Sequence, residues 1–161
     1  MRTYSYIDSI IGKLFMVAEK NVLTVIHMGE EDFHQNEDIN NITYQPDHPA
    51  LLETSKQLHE YFAGNRKEFD LPLEVEGTNF QKAVWEQLCL IPFGETRSYL
   101  DIAVSIDNPK AVRAIGQANR ANKYPIIIPC HRVIGKNNSL TGYAGTRVDL
   151  KEKLLKLEGA L

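Results

Sequence analysis

Apolar positions change their period several times along the chain, and each change predicts an element. Near the start, "RTYSYIDS" and "GKLFMVAEKNVLTVIHMGE" are rich in β-branched and aromatic residues and read as strands. Lys20-Asn21 lies between the two β-rich runs of the second segment and predicts a hairpin turn. "EEDFHQNEDINNITYQPDHP" is polar and acidic and reads as a loop. The histidines of this region, His27, His34 and His48, lack ligand spacing and read as surface or structural residues.

From Pro49 the period becomes helical. Leu51, Ser55, Leu58 and Phe62 fall on one stripe, and Gly64 predicts the stop. "RKEFDLPLEVEG", with Pro72 inside it, reads as a linker or edge strand, which sets a boundary near Gly77. Beyond it, Thr78 with Gln81 three residues on is a capping-box pattern. It opens a helix with the stripe Phe80, Val84, Leu88 and Ile91, ended by Pro92. Ser98 with Asp101 is a second such pattern, before "YLDIAVSI". Asn108-Pro109 predicts a further start, an N-cap followed by proline at the first helical position, for "KAVRAIGQANRAN". Two short helices around a brief turn make a helix-turn-helix candidate. "PIIIP" reads as a short buried strand or extended run that delivers Cys130 to a loop. The last helix is "VDLKEKLLKLEG", with the stripe Leu150, Leu154, Leu157 and Leu161. The class is therefore α+β. Residues 1–76 form a small N-terminal antiparallel sheet with a helix. Residues 77–161 form a mainly helical domain with the helix-turn-helix.

Charge is also uneven along the chain. Residues 1–94 hold 7 Lys and Arg against 15 Asp and Glu, whereas residues 95–161 hold 11 against 6. A basic C-terminal half suggests that this end meets a polyanion. No apolar run is long enough to span a bilayer, and "MRTYSYIDSI" has no core of signal-peptide length. Two cysteines, Cys89 and Cys130, make no disulfide framework and no CxxC pattern. A reducing cytoplasm without a structural zinc is the natural reading.

Candidate chemistry centres on "IPCHRV". A free thiol has a pKa of ~8.5 and is mostly protonated at neutral pH, so a nucleophilic Cys130 needs a base or a cation nearby. His131 and Arg132 follow it directly, although neighbours on an extended chain point to opposite sides. Glu158 leans toward the apolar face of the last helix through Leu154 and Leu155, and a carboxylate there calls for a partner. A Cys130–His131–Glu158 arrangement would follow the logic of an activated nucleophile. Cys89, beside an apolar stripe with no His or Arg next to it, reads as structural. The second helix of the pair is slim, with Ala111, Ala114, Gly116 and Ala118, and Arg113 projects among them. Tyr99 opens the first helix, as a core residue or as a hydroxyl near a phosphate. On these residues alone, a transcription factor without chemistry and a cysteine hydrolase both stay open.

The segments "GTNFQKAVWEQL", "IPFGETRSY", "PKAVRAIGQANRAN", "PIIIPCHRVIG" and "GYAG", taken together, resemble the O6-alkylguanine-DNA alkyltransferases. The likeness is dense from about Gly77 to Glu158. It implies direct-reversal repair: one irreversible transfer of an alkyl group from O6-alkylguanine, and from O4-alkylthymine as a further substrate, to the protein's own cysteine. Cys130 resembles the acceptor, His131 the base that reaches it through a water, and Glu158 the carboxylate that orients the base. Asn122 resembles the asparagine bracing the turn before the active-site loop. Tyr99 resembles the tyrosine that crowds the target phosphate and offers its hydroxyl to the purine, and Arg113 the arginine that fills the gap left by the flipped base. Tyr143, Val133, Ala144 and Pro125 would line the base pocket. Ala111, Ala114, Gly116 and Ser98 would meet the DNA. The implied partner is double-stranded DNA containing O6-alkylguanine, bound through the minor groove by a monomer with no cofactor and no metal. The sequence departs from the family at Lys123, where many members have proline, and at Ala144, where some have serine. It also departs at Asp107 and Thr146, where glycine is common. The zinc-binding cysteines that some members carry in the N-terminal half are absent.

Overall fold

The structure, a computed structural model, describes residues 1–135 and 148–161. The chain divides into two compact units, Met1–Val75 and Glu76–Leu161.

In the first unit, β1 (Arg2–Ser9), β2 (Gly12–Glu19) and β3 (Val22–Met28) form an antiparallel meander. Lys20 and Asn21 both have positive φ, 54° and 66°, which makes the two-residue hairpin turn whose twist matches that of the strands. The acidic stretch read as a loop is more ordered than that. It forms α1 (Glu30–Asn36), a 3-10 turn (Ile39–Asn41) and β4 (Ile42–Tyr44). These pieces are short and mostly exposed, so they carry little periodicity. β4 pairs in parallel with β1, so the sheet is mixed, in the order β3-β2-β1-β4. Leu14 to Ala18 of β2 are all buried because both faces of the sheet are covered. Phe15 and Val17 join Phe33 of α1 and Ile42, and α2 (Pro49–Phe62) packs on β1, β2 and β3.

The buried face of α2 is Leu51, Thr54, Gln57, Leu58 and Tyr61, offset from the expected Ser55 and Phe62. Gln57 is drawn in because its amide makes both bonds to Asp70, at 2.9 Å each. The segment after α2 is tied to β3 by a bridge between Leu23 and Leu73. His27 and Arg2 meet on Glu37, His48 caps α2, and His34 is exposed.

The second unit starts with α3 (Asn79–Cys89), whose Thr78–Gln81 capping box is formed in both directions. Its buried residues are Val84, Trp85 and Leu88. The Trp85 indole donates to the Ala118 carbonyl at 2.9 Å and pins the next helices to α3. A two-residue strand, β5 (Arg97–Ser98), runs into α4 (Tyr99–Ser105), and the Ser98–Asp101 capping box closes its first turn.

α5 spans Val112–Arg120 and starts three residues later than Asn108-Pro109 predicts. Asn108 belongs to the end of α4 instead. Its N–H bonds Ala103 O at 2.9 Å while the Asp107 N–H bonds Val104 O at 3.0 Å. That is a Schellman closure with Asp107 at φ 58° in the position that glycine usually fills. "PIIIP" is not a strand: Ile126 has φ 76° and the Ile128 N–H folds back on Tyr124 O. A 3-10 turn (Cys130–Arg132) leads into β6 (Val133–Ile134), which pairs in parallel with β5. The pairing sets Val133 beside Arg97 and Ile134 beside Ser98, so the cysteine turn lies against the start of α4.

α6 (Val148–Leu157) buries Leu150, Lys151, Leu154 and Leu155. Gly159 at φ 78° turns the chain away, which leaves Leu161 exposed rather than on the stripe. Among the described residues, no helix is long and apolar enough to cross a membrane.

Candidate active site

The site is built from one turn of chain and the elements that grip it. Pro129, at φ −80° and ψ 64°, sits at the centre of an inverse γ-turn closed by the Cys130 N–H on Ile128 O at 2.7 Å. Proline suits the place because its φ is preset and it has no N–H to satisfy. Asn122, just past α5, accepts from the Tyr124 N–H at 2.9 Å and donates to Ile128 O at 2.8 Å. Asn119, in the last turn of α5, donates to Cys130 O at 3.2 Å.

Behind the turn lies a buried ionic cluster. His131 Nε2 is 2.7 Å from Glu158 Oε2. Arg132 grips the same carboxylate with two nitrogens, Nε to Oε1 at 2.8 Å and Nη2 to Oε2 at 3.0 Å. Its Nη1 donates to Ile91 O at 2.8 Å. His131 is fully buried, and Arg132 and Glu158 are both 5 % exposed. A carboxylate in such surroundings needs charge-assisted hydrogen bonds to stay ionised, and here the guanidinium fork supplies them. Lys151 of α6 is also fully buried, and its Nζ donates to the Val133 carbonyl. Its Nζ lies 6.0 Å from the centre of the Tyr99 ring.

These surroundings set the charges. Burial pushes the Cys130 thiol up to about 11, opposed by the Asn122 hydrogen bond and the Lys151 charge. Burial lowers His131, opposed by Glu158. Burial likewise lowers Lys151 to about 8. At neutral pH the resting site therefore holds a thiol, a neutral imidazole and an ammonium that is mostly protonated. Thiolate has to be generated for reaction rather than stored.

The other residues singled out in the sequence fall as follows. Tyr99 is the first residue of α4 and half-buried, and Ser98 caps that helix. Arg113 is exposed on α5, Ala111 is its N-cap, and Ala114 and Gly116 are half-buried. A Cβ at Gly116 would lie 4.0 Å from the Tyr99 ring, so α5 and Tyr99 are near neighbours. Val133 and Pro125 are buried. The N–H of Val133 bonds Cys130 O and its carbonyl takes Lys151, so a base edge would have to share these groups. Tyr143, Ala144 and Thr146 lie outside the described residues. Cys89 is exposed at the end of α3 rather than packed. No His, Cys, Asp or Glu group able to hold a metal occurs among the described residues.

Sequence reasoning gave no role to Lys151 or Asn119, and it offered Arg132 as a cation beside Cys130, whereas its guanidinium holds Glu158. For Lys151 a signal existed, since it stands seven residues before Glu158 on the same face of α6. For Asn119 the signal was its place four residues after Ile115, on the buried stripe of α5.

Known proteins resemble the chain over nearly its whole length. The chain is 47% identical over 158 residues to the constitutive methylated-DNA--protein-cysteine methyltransferase of Bacillus subtilis, covering 98% of this chain and 96% of that one. It is 45% identical to the methylated-DNA--protein-cysteine methyltransferase of Methanosarcina acetivorans, covering 98% of each. The crystal structure of Mycobacterium tuberculosis O6-methylguanine methyltransferase superposes with a TM-score of 0.87 at 44% identity, over 99% of this chain and 94% of that one. The same organism's OGT in complex with DNA gives a TM-score of 0.85 at 44% identity, over 98% and 93%. Residues 3–75 match the ribonuclease-like domain of 6-O-methylguanine DNA methyltransferase, and residues 79–160 match its DNA binding domain. With both domains matched in order and the cysteine turn inside the second, the chain belongs to the 6-O-methylguanine DNA methyltransferase family.

Proposed function

We infer that this protein repairs DNA by direct reversal. It is a methylated-DNA–protein-cysteine methyltransferase, which moves the alkyl group of O6-alkylguanine onto its own cysteine. The observation that carries the site assignment is the buried pair of His131 Nε2 and Glu158 Oε2 at 2.7 Å, formed by the residue that follows Cys130 in the chain. With Nε2 given to Glu158, Nδ1 is the ring nitrogen that serves the thiol through a water. Cys130 loses its proton by that route and its sulfur attacks the alkyl carbon. The S–C bond forms as the C–O6 bond breaks, and the electron pair stays on guanine. The Tyr99 hydroxyl donates the proton that the departing purine needs. Burial makes the free thiolate costly, so attack awaits a bound base that excludes water and holds its carbon in line.

The target base is buried in the duplex and has to be extruded, at a cost of a few kcal/mol. α5 enters the minor groove with its small residues Ala111, Ala114 and Gly116, and Arg113 fills the space left in the stack. Residues 77–161 carry DNA binding and chemistry, and residues 1–76 form a separate subdomain. Val133 and Pro125 line the base pocket. The protein acts as a cytoplasmic monomer, and O4-alkylthymine is a second substrate. Phosphate contacts make binding salt-sensitive and tolerant of sequence. A transcription factor would need no thiol, and a cysteine hydrolase would release an alcohol. The deciding experiment incubates the protein with a duplex containing one O6-methylguanine and analyses the DNA. Guanine restored without free methanol is the expected result, and methanol formed in step with repair refutes direct transfer.

A further inference from the structure

Two carbonyls flank Pro129, and each accepts one backbone N–H and one asparagine amide. Ile128 O receives the Cys130 N–H at 2.7 Å and Asn122 Nδ2 at 2.8 Å. Cys130 O receives the Val133 N–H and Asn119 Nδ2 at 3.2 Å. The two asparagines stand three residues apart, Asn119 in the last turn of α5 and Asn122 two residues past its end. They differ in what else they reach. Asn122 also hydrogen-bonds the Cys130 thiol, whereas Asn119 holds only main chain.

Asn119 also leaves a polar atom unsatisfied. It is 4 % exposed, and its Oδ1 has no hydrogen-bond partner among the described residues. A buried acceptor left in that state costs stability, and an apolar side chain of the same size would not incur the cost. Turning the amide over would set Oδ1 against Cys130 O, so the orientation is fixed by the single bond it makes. Trp85 holds the preceding carbonyl, Ala118 O, at 2.9 Å, which anchors this turn of α5 from the other side.

We propose that Asn119 is a positioning residue for the methyl transfer: it fixes the main chain of Cys130 to the helix that carries Arg113, so that the seating of α5 and the aim of the thiol are set together. This rests on the direct-transfer reading of Cys130 and adds to it a residue that touches neither DNA nor sulfur. A side chain kept at a cost in stability, in order to hold the nucleophile's carbonyl, follows the trade between stability and activity found at functional sites.

Asn119→Leu separates this role from a packing role, because it keeps the branched outline and the number of heavy atoms, removes the donor and removes the orphaned oxygen. The protein should fold, with a melting temperature within a few degrees of wild type, because removal of the orphaned oxygen offsets the crowding by the larger side chain. Affinity for duplex DNA should stay within about twofold. The rate of methyl transfer at saturating DNA should fall by about tenfold or more, since a displaced reacting group costs rate steeply. The pH dependence of Cys130 alkylation by iodomethane should keep its midpoint, whereas Asn122→Leu should move it upward. Wild-type speed in Asn119→Leu, or a loss that lies in affinity, overturns the proposal. So does failure of Asn119→Leu to fold, since that makes Asn119 a structural necessity. Wild-type protein that transfers no methyl group at all would instead overturn the reading beneath it.

Discussion

In the N-terminal unit, His27 Nε2 lies 2.7 Å from Glu37 Oε2, and Arg2 forks onto the same carboxylate at 2.9 and 2.6 Å. In the C-terminal unit, His131 Nε2 lies 2.7 Å from Glu158 Oε2, and Arg132 forks onto it at 2.8 and 3.0 Å. The two networks match in residue types and nearly in distance, and we assign chemistry to only one. At Glu37, burial would raise the carboxyl, but the hydrogen bonds from Arg2 and His27 prevail and hold it below its ordinary range. The Arg2 side chain is 30% exposed and also bonds Glu19, so that network joins β1, β2 and β3 to the end of α1 at a partly wet edge. At Glu158 every member is buried, and the histidine follows a thiol in sequence, with a buried lysine seven residues before Glu158. A histidine held by a carboxylate is thus a common structural joint. It becomes reactive machinery only where a nucleophile shares its low-dielectric surroundings.

The comparison breaks most visibly at the nucleophile. Cys130→Ser should abolish methyl transfer to the protein in a mass assay, whereas His27→Ala should leave the rate of the folded protein unchanged. Loss of transfer in the folded His27→Ala protein would mean that the N-terminal network contributes to reaction.

Next in size are the two carboxylates. Glu158→Gln should slow transfer by about a hundredfold, the scale of a lost general-base arrangement. Glu37→Gln should act on stability alone, at about 1–2 kcal/mol, less than for a fully buried pair because Arg2 stays partly solvated. Denaturant melts set against single-turnover rates separate the two effects. The Glu37 contribution is also pH-dependent in a definite sense. A carboxyl held below its unfolded value stabilises the fold above that value, so wild-type stability should fall as pH drops below about 4.5.

Smaller again is the effect of Lys151. Its charge favours the thiolate against burial, so Lys151→Met should raise the Cys130 pKa above about 11. At any pH below the midpoint the thiolate fraction then falls, by about tenfold per pKa unit, and Lys151→Arg should restore part of it. The rate of Cys130 alkylation by iodomethane against pH reads this directly, and overlapping curves for wild type and Lys151→Met would remove Lys151 from the site.

These networks also show what a sequence discloses. Both capping boxes, Thr78 with Gln81 and Ser98 with Asp101, were legible because their partners lie three residues apart. The hairpin at Lys20-Asn21 and the lean of Glu158, just past α6, toward that helix's apolar side were legible for the same local reason. Asn108-Pro109 carried the right signal for a helix start and was misread, because the backbone closure of α4 claims Asn108 first. Lys151 and Asn119 went unassigned, and Arg132 was given to Cys130 instead of Glu158, because their partners are far away in sequence. Arg132 meets Glu158 and Ile91, Lys151 meets Val133, and Asn119 meets Cys130. A polar residue on a buried stripe signals that such a partner exists without saying where it is.

The smallest expected effect lies in the turn before α5. Asp107 pays a backbone cost at φ 58° that glycine would not, so Asp107→Gly should stabilise the protein by about 0.5–1 kcal/mol with no change in transfer rate. A destabilised variant in thermal melts would show that the Asp107 side chain offsets the strain.

The central claim is that Cys130 accepts one alkyl group and keeps it. A thioether offers no leaving group that the surrounding residues could displace, and the other thiol, Cys89, is exposed at the end of α3. Intact-protein mass after incubation with excess O6-methylguanine duplex, followed by peptide mapping, measures this outcome. The account predicts a rise of one methyl group per protein, located on the peptide containing Cys130, and then a plateau. Repair that continues past one equivalent, or a methyl group found on Cys89 with Cys130 unmodified, would contradict it.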